Sequence, residues 1–214
     1  MNAATQKISL QGGAGLIEAL LDVPAGELRG TAVIAHPHPL FGGTMTNKVV
    51  QTLARAFVQT GWRAVRFNFR GVGASAGAYD EGRGEAADML EVIRQVAPEG
   101  PLAVAGFSFG AFVTSHVVAQ SSAALTPRQP EKIVLVGTAA SRFAVAPIAP
   151  ELHERTLVLH GELDDTVVLS SVMDWARPQS LPVTVIPGVE HFFHGQLPLL
   201  KSLVVRHLLA PVHA

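Results

Sequence analysis

From Thr31 onward the chain alternates between two hydrophobic rhythms. Nearly continuous apolar runs at Thr31–His36, Arg63–Phe69, Leu102–Phe107, Lys132–Thr138, Arg155–His160 and Val183–Ile186 read as short strands, largely buried. Between them lie stretches with a single apolar face. Val49, Val50, Leu53, Ala54, Phe57 and Val58 recur at helical spacing, which predicts a helix from a Thr44 cap to about Thr60, ended by Gly61. Further helices are expected over Gly84–Val96, Ala111–Val118 and Ser170–Arg177, with a last one ending near Leu209. Ahead of this alternation, Lys7 to about Pro24 reads as a strand pair that turns at Gln11–Gly15 and returns over Leu16–Val23. Pro37–Gly43 is excluded from regular structure by two prolines and two glycines. Arg70–Gly77 reads as a tight glycine-rich turn and lacks the spacing of a phosphate loop. The pattern predicts an α/β fold: a mostly parallel central sheet with helices on both faces, preceded by an N-terminal antiparallel strand pair. No repeat, linker or low-complexity segment interrupts it, so a single domain is expected over residues 1–214.

Composition narrows the function classes. Hydrophobic residues make up 48% and charged residues only 15%, as a sheet covered on both faces requires. A net charge of −1 gives no electrostatic case for nucleic acid or an acidic membrane surface as a partner. With no cysteine, disulfides, thiolate metal sites and a cysteine nucleophile are excluded. Met1–Lys7 lacks the basic start and apolar core of a signal peptide, and no apolar run is long enough to span a bilayer. A soluble, cytoplasmic protein is expected. No motif bears on oligomeric state.

One apolar run differs from the others in how it ends. Leu102-Ala103-Val104-Ala105 leads into Gly106-Phe107-Ser108-Phe109-Gly110, and a helix comes next. Strand, glycine-flanked turn and helix are the setting in which Gly-x-Ser-x-Gly marks a nucleophilic serine. The small flanking residues let strand and helix approach closely, and the first helical N–H groups favour negative charge beside Ser108.

A serine nucleophile needs a base, an orienting acid and donors for an oxyanion. In an open α/β sheet these belong in loops at the carboxyl ends of strands. The acids so placed are Asp164 and Asp165, after the strand ending at His160. The bases are His191 and His194. His191 sits directly in the loop after the last strand and is preferred; His194, about one helical turn on, suits a helix start or a hydrogen-bonded partner. His36 and His160 end strands and read as hydrogen-bonded structural groups, while His116, His153, His207 and His213 have no catalytic setting. The expected oxyanion donors are the backbone N–H of Phe109 and one from the loop after Thr31–His36. Pro37 and Pro39 have no N–H, which makes His38 the first available donor and Leu40 the next; His38 is chosen. Phe107, Phe109, Leu40 and Phe41 suggest an apolar rim. A metal site built from His36, His38, His191, His194 and Asp164 is a rival, but Pro37 constrains the first two and no His-Glu-x-x-His helix exists.

With Ser108, then an acid, then a base in chain order, the sequence resembles the α/β-hydrolase superfamily over essentially its whole length. The resemblance rests on Gly106–Gly110, His160-Gly161-Glu162-Leu163-Asp164 and Glu190-His191-Phe192-Phe193-His194 together. It implies the α/β-hydrolase fold and selects Asp164 over Asp165, giving Ser108, Asp164 and His191 as catalytic residues. His36-Pro37-His38-Pro39 with Gly42-Gly43, and Arg66-Phe67-Asn68-Phe69-Arg70-Gly71-Val72-Gly73, resemble a narrower group: small bacterial serine hydrolases similar to dienelactone hydrolases but with serine in place of cysteine. Many superfamily members carry His-Gly where this chain has His36-Pro37. Family lids come after the strand matching Lys132–Thr138; here only Ala139–Glu154 intervenes, too short for a lid domain, with Pro147 and Pro150 favouring a loop.

The implied activity is that of a carboxylesterase. It would cleave small soluble esters through an acyl-enzyme intermediate at an open site, with no cofactor and no metal. Thioesterases, amidases and peptidases use the same triad, and a non-catalytic binding protein could share the fold. Acyl chain and leaving group are not written in these motifs.

Overall fold

β1 (Gln6–Gly12) returns as β2 (Gly15–Asp22) through Gly13 and Ala14, pairing Gly12 with Gly15 and Gln6 with Leu21. β2 then lies antiparallel against β4 (Trp62–Phe67), and from there every neighbour is parallel. With β3 (Gly30–Ala35), β5 (Leu102–Phe107), β6 (Lys132–Val136), β7 (Thr156–Gly161) and β8 (Val183–Ile186), the eight-stranded sheet runs β1-β2-β4-β3-β5-β6-β7-β8. The computed structural model describes residues 5–122 and 128–211; Met1–Ala4 and His213 lie outside them.

Among the described residues five helices cover the sheet: α1 (Lys48–Gln59), α2 (Arg83–Val96), α3 (Phe109–Ser122), α4 (Leu169–Ala176) and α5 (Leu197–Leu209). The strands divide their side chains between two cores. Leu102 and Val104 of β5 join Met89 and Val92 of α2, Val113 and Val117 of α3 and Val172 of α4. Ala103, Ala105 and Phe107 face the other way, toward Leu53 and Phe57 of α1 and Leu200 and Val204 of α5. This two-residue period, with both faces covered, is why β5 reads as an unbroken apolar run. Among the described residues no helix is long and apolar enough to cross a membrane.

Two local expectations change. α1 is capped by Asn47, whose Oδ1 accepts from the Val49 and Val50 amides at 2.8 and 3.5 Å, and not by Thr44. The helix cannot start earlier because Met45 is held from both sides: its N–H donates to Asn68 Oδ1 at 2.9 Å and its carbonyl accepts from Arg66 Nη1 at 3.1 Å. Thr44 instead heads the preceding turn, its carbonyl accepting from Asn47 N–H. Within Pro37–Gly43, Pro39–Phe41 forms one 3-10 turn, with Pro39 at the position where a missing N–H costs nothing.

After β6 the chain runs as a loop that ends in a 3-10 segment, Pro150–Arg155, started by Pro150 and anchored by buried Leu152. No lid domain is inserted there.

Candidate active site

Ser108 stands where β5 turns into α3, at φ +56°, a left-handed conformation that a non-glycine residue holds only under constraint from its surroundings. The constraint is visible: Ser108 N–H donates to Val136 O at 2.8 Å, and Ser108 O accepts from the Ala111 and Phe112 amides. The two glycines are required by space. A Cβ on Gly106 would overlap the carbonyl of Gly110, and one on Gly110 would overlap the carbonyl of Ala35 in β3.

Three side chains from three strand ends meet at this turn. His191, in the loop after β8, has its Nε2 3.1 Å from Ser108 Oγ and its Nδ1 2.6 Å from Asp164 Oδ2. Asp164 comes just after β7. Ser108, Asp164 and His191 are all buried, the last two with 4% and 2% of their surface exposed. Because a carboxylate accepts at Nδ1, the proton of the neutral imidazole belongs there, and Nε2 presents its lone pair to the hydroxyl. Asp164 is itself held: Oδ1 accepts from the Thr166 and Val167 amides at 3.1 and 2.7 Å. His160 lies behind it, Nε2 donating to Val167 O at 2.9 Å and standing 3.5 Å from Asp164 Oδ2. Burial lowers the His160 pKa against the pull of that carboxylate, which favours the neutral ring.

The competing residues lie elsewhere. Asp165 is exposed. His194 points outward and pairs with Glu190 at 2.9 Å.

Phe109 and His38 both line the cavity at Ser108, and among the described residues neither backbone N–H has a hydrogen-bond partner. The Leu40 amide is committed, donating to His38 Nδ1 at 3.2 Å. The His38 peptide is held by His36, whose Nδ1 donates to Pro37 O at 2.6 Å while its Nε2 accepts from Phe69 N–H at 3.0 Å. With both ring nitrogens spent on backbone, His36 is no metal ligand. Among the described residues no group of three or more His, Cys, Asp or Glu could hold a metal ion.

The cavity beside Ser108 has a volume of about 310 Å³, at the small end for ligand pockets. Phe41, Phe143, Val167 and Phe192 give it apolar walls, and Arg142 brings a charge. The expected rim is corrected in part: Phe41 and Phe109 line the cavity, and Phe107 does not. Phe107 and Phe109 are fully buried, Phe107 packed under the His191 ring at 4.9 Å and Phe109 against Phe69 and Phe143. Both side chains continue the core because strand and helix point them inward. The outer wall is made instead by exposed Phe41 with Phe143 and Phe192, and Leu40 does not line the cavity. Arg142, Phe143 and the peptide-holding part of His36 have no signature in sequence. Arg142 and Phe143 come from the loop read only as too short for a lid.

The chain and its fold have counterparts among known proteins. The thioesterase domain family matches residues 83–184, from α2 through the elbow and Asp164 to β8. An uncharacterized protein from Rickettsia prowazekii (strain Madrid E) is 30% identical over 185 residues, covering 76% of this chain and 71% of that one. A crystal structure from Xanthomonas campestris, described as a member of the α/β serine hydrolases without a lid, superposes with a TM-score of 0.84 at 31% identity, covering 100% of this chain and 99% of the other. An α/β serine hydrolase homologue from Coxiella burnetii gives a TM-score of 0.80 at 36% identity over 96% and 97% of the two chains. The chain belongs to the lid-less α/β serine hydrolases.

Proposed function

We propose that this hydrolase cleaves small carboxylic esters through an acyl-enzyme on Ser108. The observation that carries the reading is the buried series Ser108 Oγ, His191, Asp164, joined at 3.1 and 2.6 Å. His191 Nε2 takes the hydroxyl proton as Ser108 Oγ bonds to the carbonyl carbon. Asp164 fixes the Nδ1–H tautomer and stabilises the imidazolium. The tetrahedral oxyanion is received by the free N–H groups of Phe109 and His38, each worth about 3–4 kcal/mol of barrier in comparable sites. Collapse breaks the bond to the leaving oxygen, which takes the proton from His191. Water then attacks the acyl carbon, gives its proton to His191 and releases the acid, and the proton returns to Ser108.

Thioester cleavage is the second reading, favoured by the match of residues 83–184 to the thioesterase domain family. The same relay serves it, with a thiolate leaving in place of an alkoxide. Matched acetyl and butyryl esters and thioesters, assayed side by side, separate the two.

The test of the common mechanism is Ser108→Ala with fluorophosphonate labelling. Wild-type protein should be labelled at Ser108 and hydrolyse p-nitrophenyl acetate, and the variant should do neither. Labelling elsewhere, or turnover retained by the variant, refutes the assignment; no labelling at all favours a binding protein on this fold.

A further inference from the structure

The cavity beside Ser108 is charged in one sense only. Among the described residues that line it there is no aspartate or glutamate, and Arg142 is its sole lysine or arginine. We propose that the substrates carry an anionic group, a carboxylate or a phosphate, and that Arg142 is the residue that selects for it. This rests on Ser108 being the nucleophile.

Arg142 is one of several arginines without a carboxylate partner, and the one that lines the cavity. Arg66, Arg70, Arg83, Arg94 and Arg177 each meet a carboxylate, while the Arg142 guanidinium has neither an ion pair nor a hydrogen bond among the described residues. Its five N–H donors are free to take an oxyanion group in a forked geometry. The charge is also felt inside the site, since it adds to burial in lowering the His38 pKa.

The loop that presents Arg142 is pinned. The Arg142 and Phe143 amides both donate to Ala139 O, at 3.2 and 3.1 Å. Phe143 stacks on Phe112 of α3, ring centres 4.8 Å apart and 21° from parallel. Beyond it, Ala146 N–H donates to Ser115 Oγ at 3.0 Å and Ala146 O accepts from Trp175 Nε1 at 3.2 Å. The Arg142 side chain extends from this pinned backbone and is exposed. A cation on a fixed wall at the mouth of a small apolar cavity selects for a short apolar spacer ending in a negative charge. That charge can belong to the acyl part or to the leaving group.

Two matched pairs of esters distinguish these sources. Monoethyl succinate against ethyl valerate places the charge on the acyl side; para-acetoxybenzoate against para-acetoxybenzamide places it on the leaving group. The quantity read is the anionic-to-neutral ratio of kcat/KM, with Ser108→Ala as the control for enzymatic turnover. In at least one pair Arg142→Gln should lower this ratio about tenfold, mainly through KM, a modest figure for a charged partner at an exposed position. Arg142→Lys should keep part of it, and about 1 M salt should erode the wild-type ratio. A ratio equal in wild type and Arg142→Gln for both pairs overturns the proposal. Ser108-independent turnover, or none of the four esters cleaved, overturns instead the nucleophile on which it rests, and the proposal with it.

Discussion

The His36 imidazole donates to the carbonyl of Pro37 at 2.6 Å, and that carbonyl shares a peptide plane with the N–H of His38. A trans peptide is rigid, so holding one edge aims the other. The bond to the carbonyl also polarises the N–H into a better donor. Gly43 completes the clamp: a Cβ there would overlap the Pro37 carbonyl. His36→Ala strips two buried backbone groups, Pro37 O and Phe69 N–H, of their partner, at about 1–3 kcal/mol each. It also releases the peptide proposed to receive the oxyanion. The expected result is a lower melting temperature together with a kcat reduced about tenfold or more at little-changed KM, read by thermal unfolding and steady-state kinetics on an activated ester. A variant that loses stability but keeps kcat would show the clamp to be structural only.

The same burial makes stability depend on pH. His36 is lowered from 6.5 to about 4 by burial, against the opposing bond to Pro37, and His207 to about 4 by burial and then by the Lys132 charge. Between pH 6.5 and 4 the unfolded chain binds protons that the folded chain refuses. The contribution is therefore complete above about pH 6.5 and lost as pH falls toward 4, roughly 3 kcal/mol for His36 alone. Melting temperature should drop across that window, and His207→Gln should make the drop smaller. A melting temperature flat from pH 6.5 to 4 would refute this account.

How much of this was legible in the sequence depends on the range of the forces involved. Local chemistry was readable: the glycines around Ser108, the strand rhythm of Leu102–Phe107, and the chain order that puts Asp164 before His191. The Asn47 cap was hidden because what displaces it from Thr44 is Arg66 and Asn68, twenty-odd residues on, gripping Met45. Phe107 and Phe109 flank Ser108 in sequence and look like a rim, yet the turn that brings the serine to the cavity points both rings into the core. Arg142 lies far from Ser108 along the chain, and its loop is brought to the cavity by long-range contacts, the stacking of Phe143 on Phe112 and the bonds of Ala146 to Ser115 and Trp175.

Two adjacent aspartates provide a test of the acid. Asp164 is buried, with one oxygen on His191 Nδ1 and the other on the Thr166 and Val167 amides; Asp165 is exposed, 3.4 Å from Thr166 Oγ1. Asp164→Asn can place an NH2 against Nδ1, which shifts the imidazole proton to Nε2 and removes the base that Ser108 needs. In comparable triads that change costs about 10⁴ in kcat. A loss of at least about 10³ is expected for Asp164→Asn, with Asp165→Asn close to wild type. Equal losses in the two variants, measured as kcat on one ester, would remove Asp164 from its proposed part.

The elbow glycines make a prediction about folding. At Gly106 an added methyl meets the carbonyl of Gly110 and the amide of Ala111, and at Gly110 it meets the carbonyls of Ala35 and His36. All four are backbone groups, three of them in β3 or α3 and the fourth, His36 O, directly after β3, so the neighbour cannot swing aside as a side chain would. Relief requires β5, α3 and β3 to separate, which opens the core on which Phe107 and Phe109 sit. Gly106→Ala and Gly110→Ala should each cost about 3 kcal/mol or more. Gly26→Ala, in the loop between β2 and β3 with nothing within 4 Å of the new methyl, should stay within about 0.5 kcal/mol of wild type. Urea denaturation midpoints compare the three directly. An elbow variant as stable as Gly26→Ala would mean that strand and helix can part without loss, and that the left-handed conformation of Ser108 is not held by their contact.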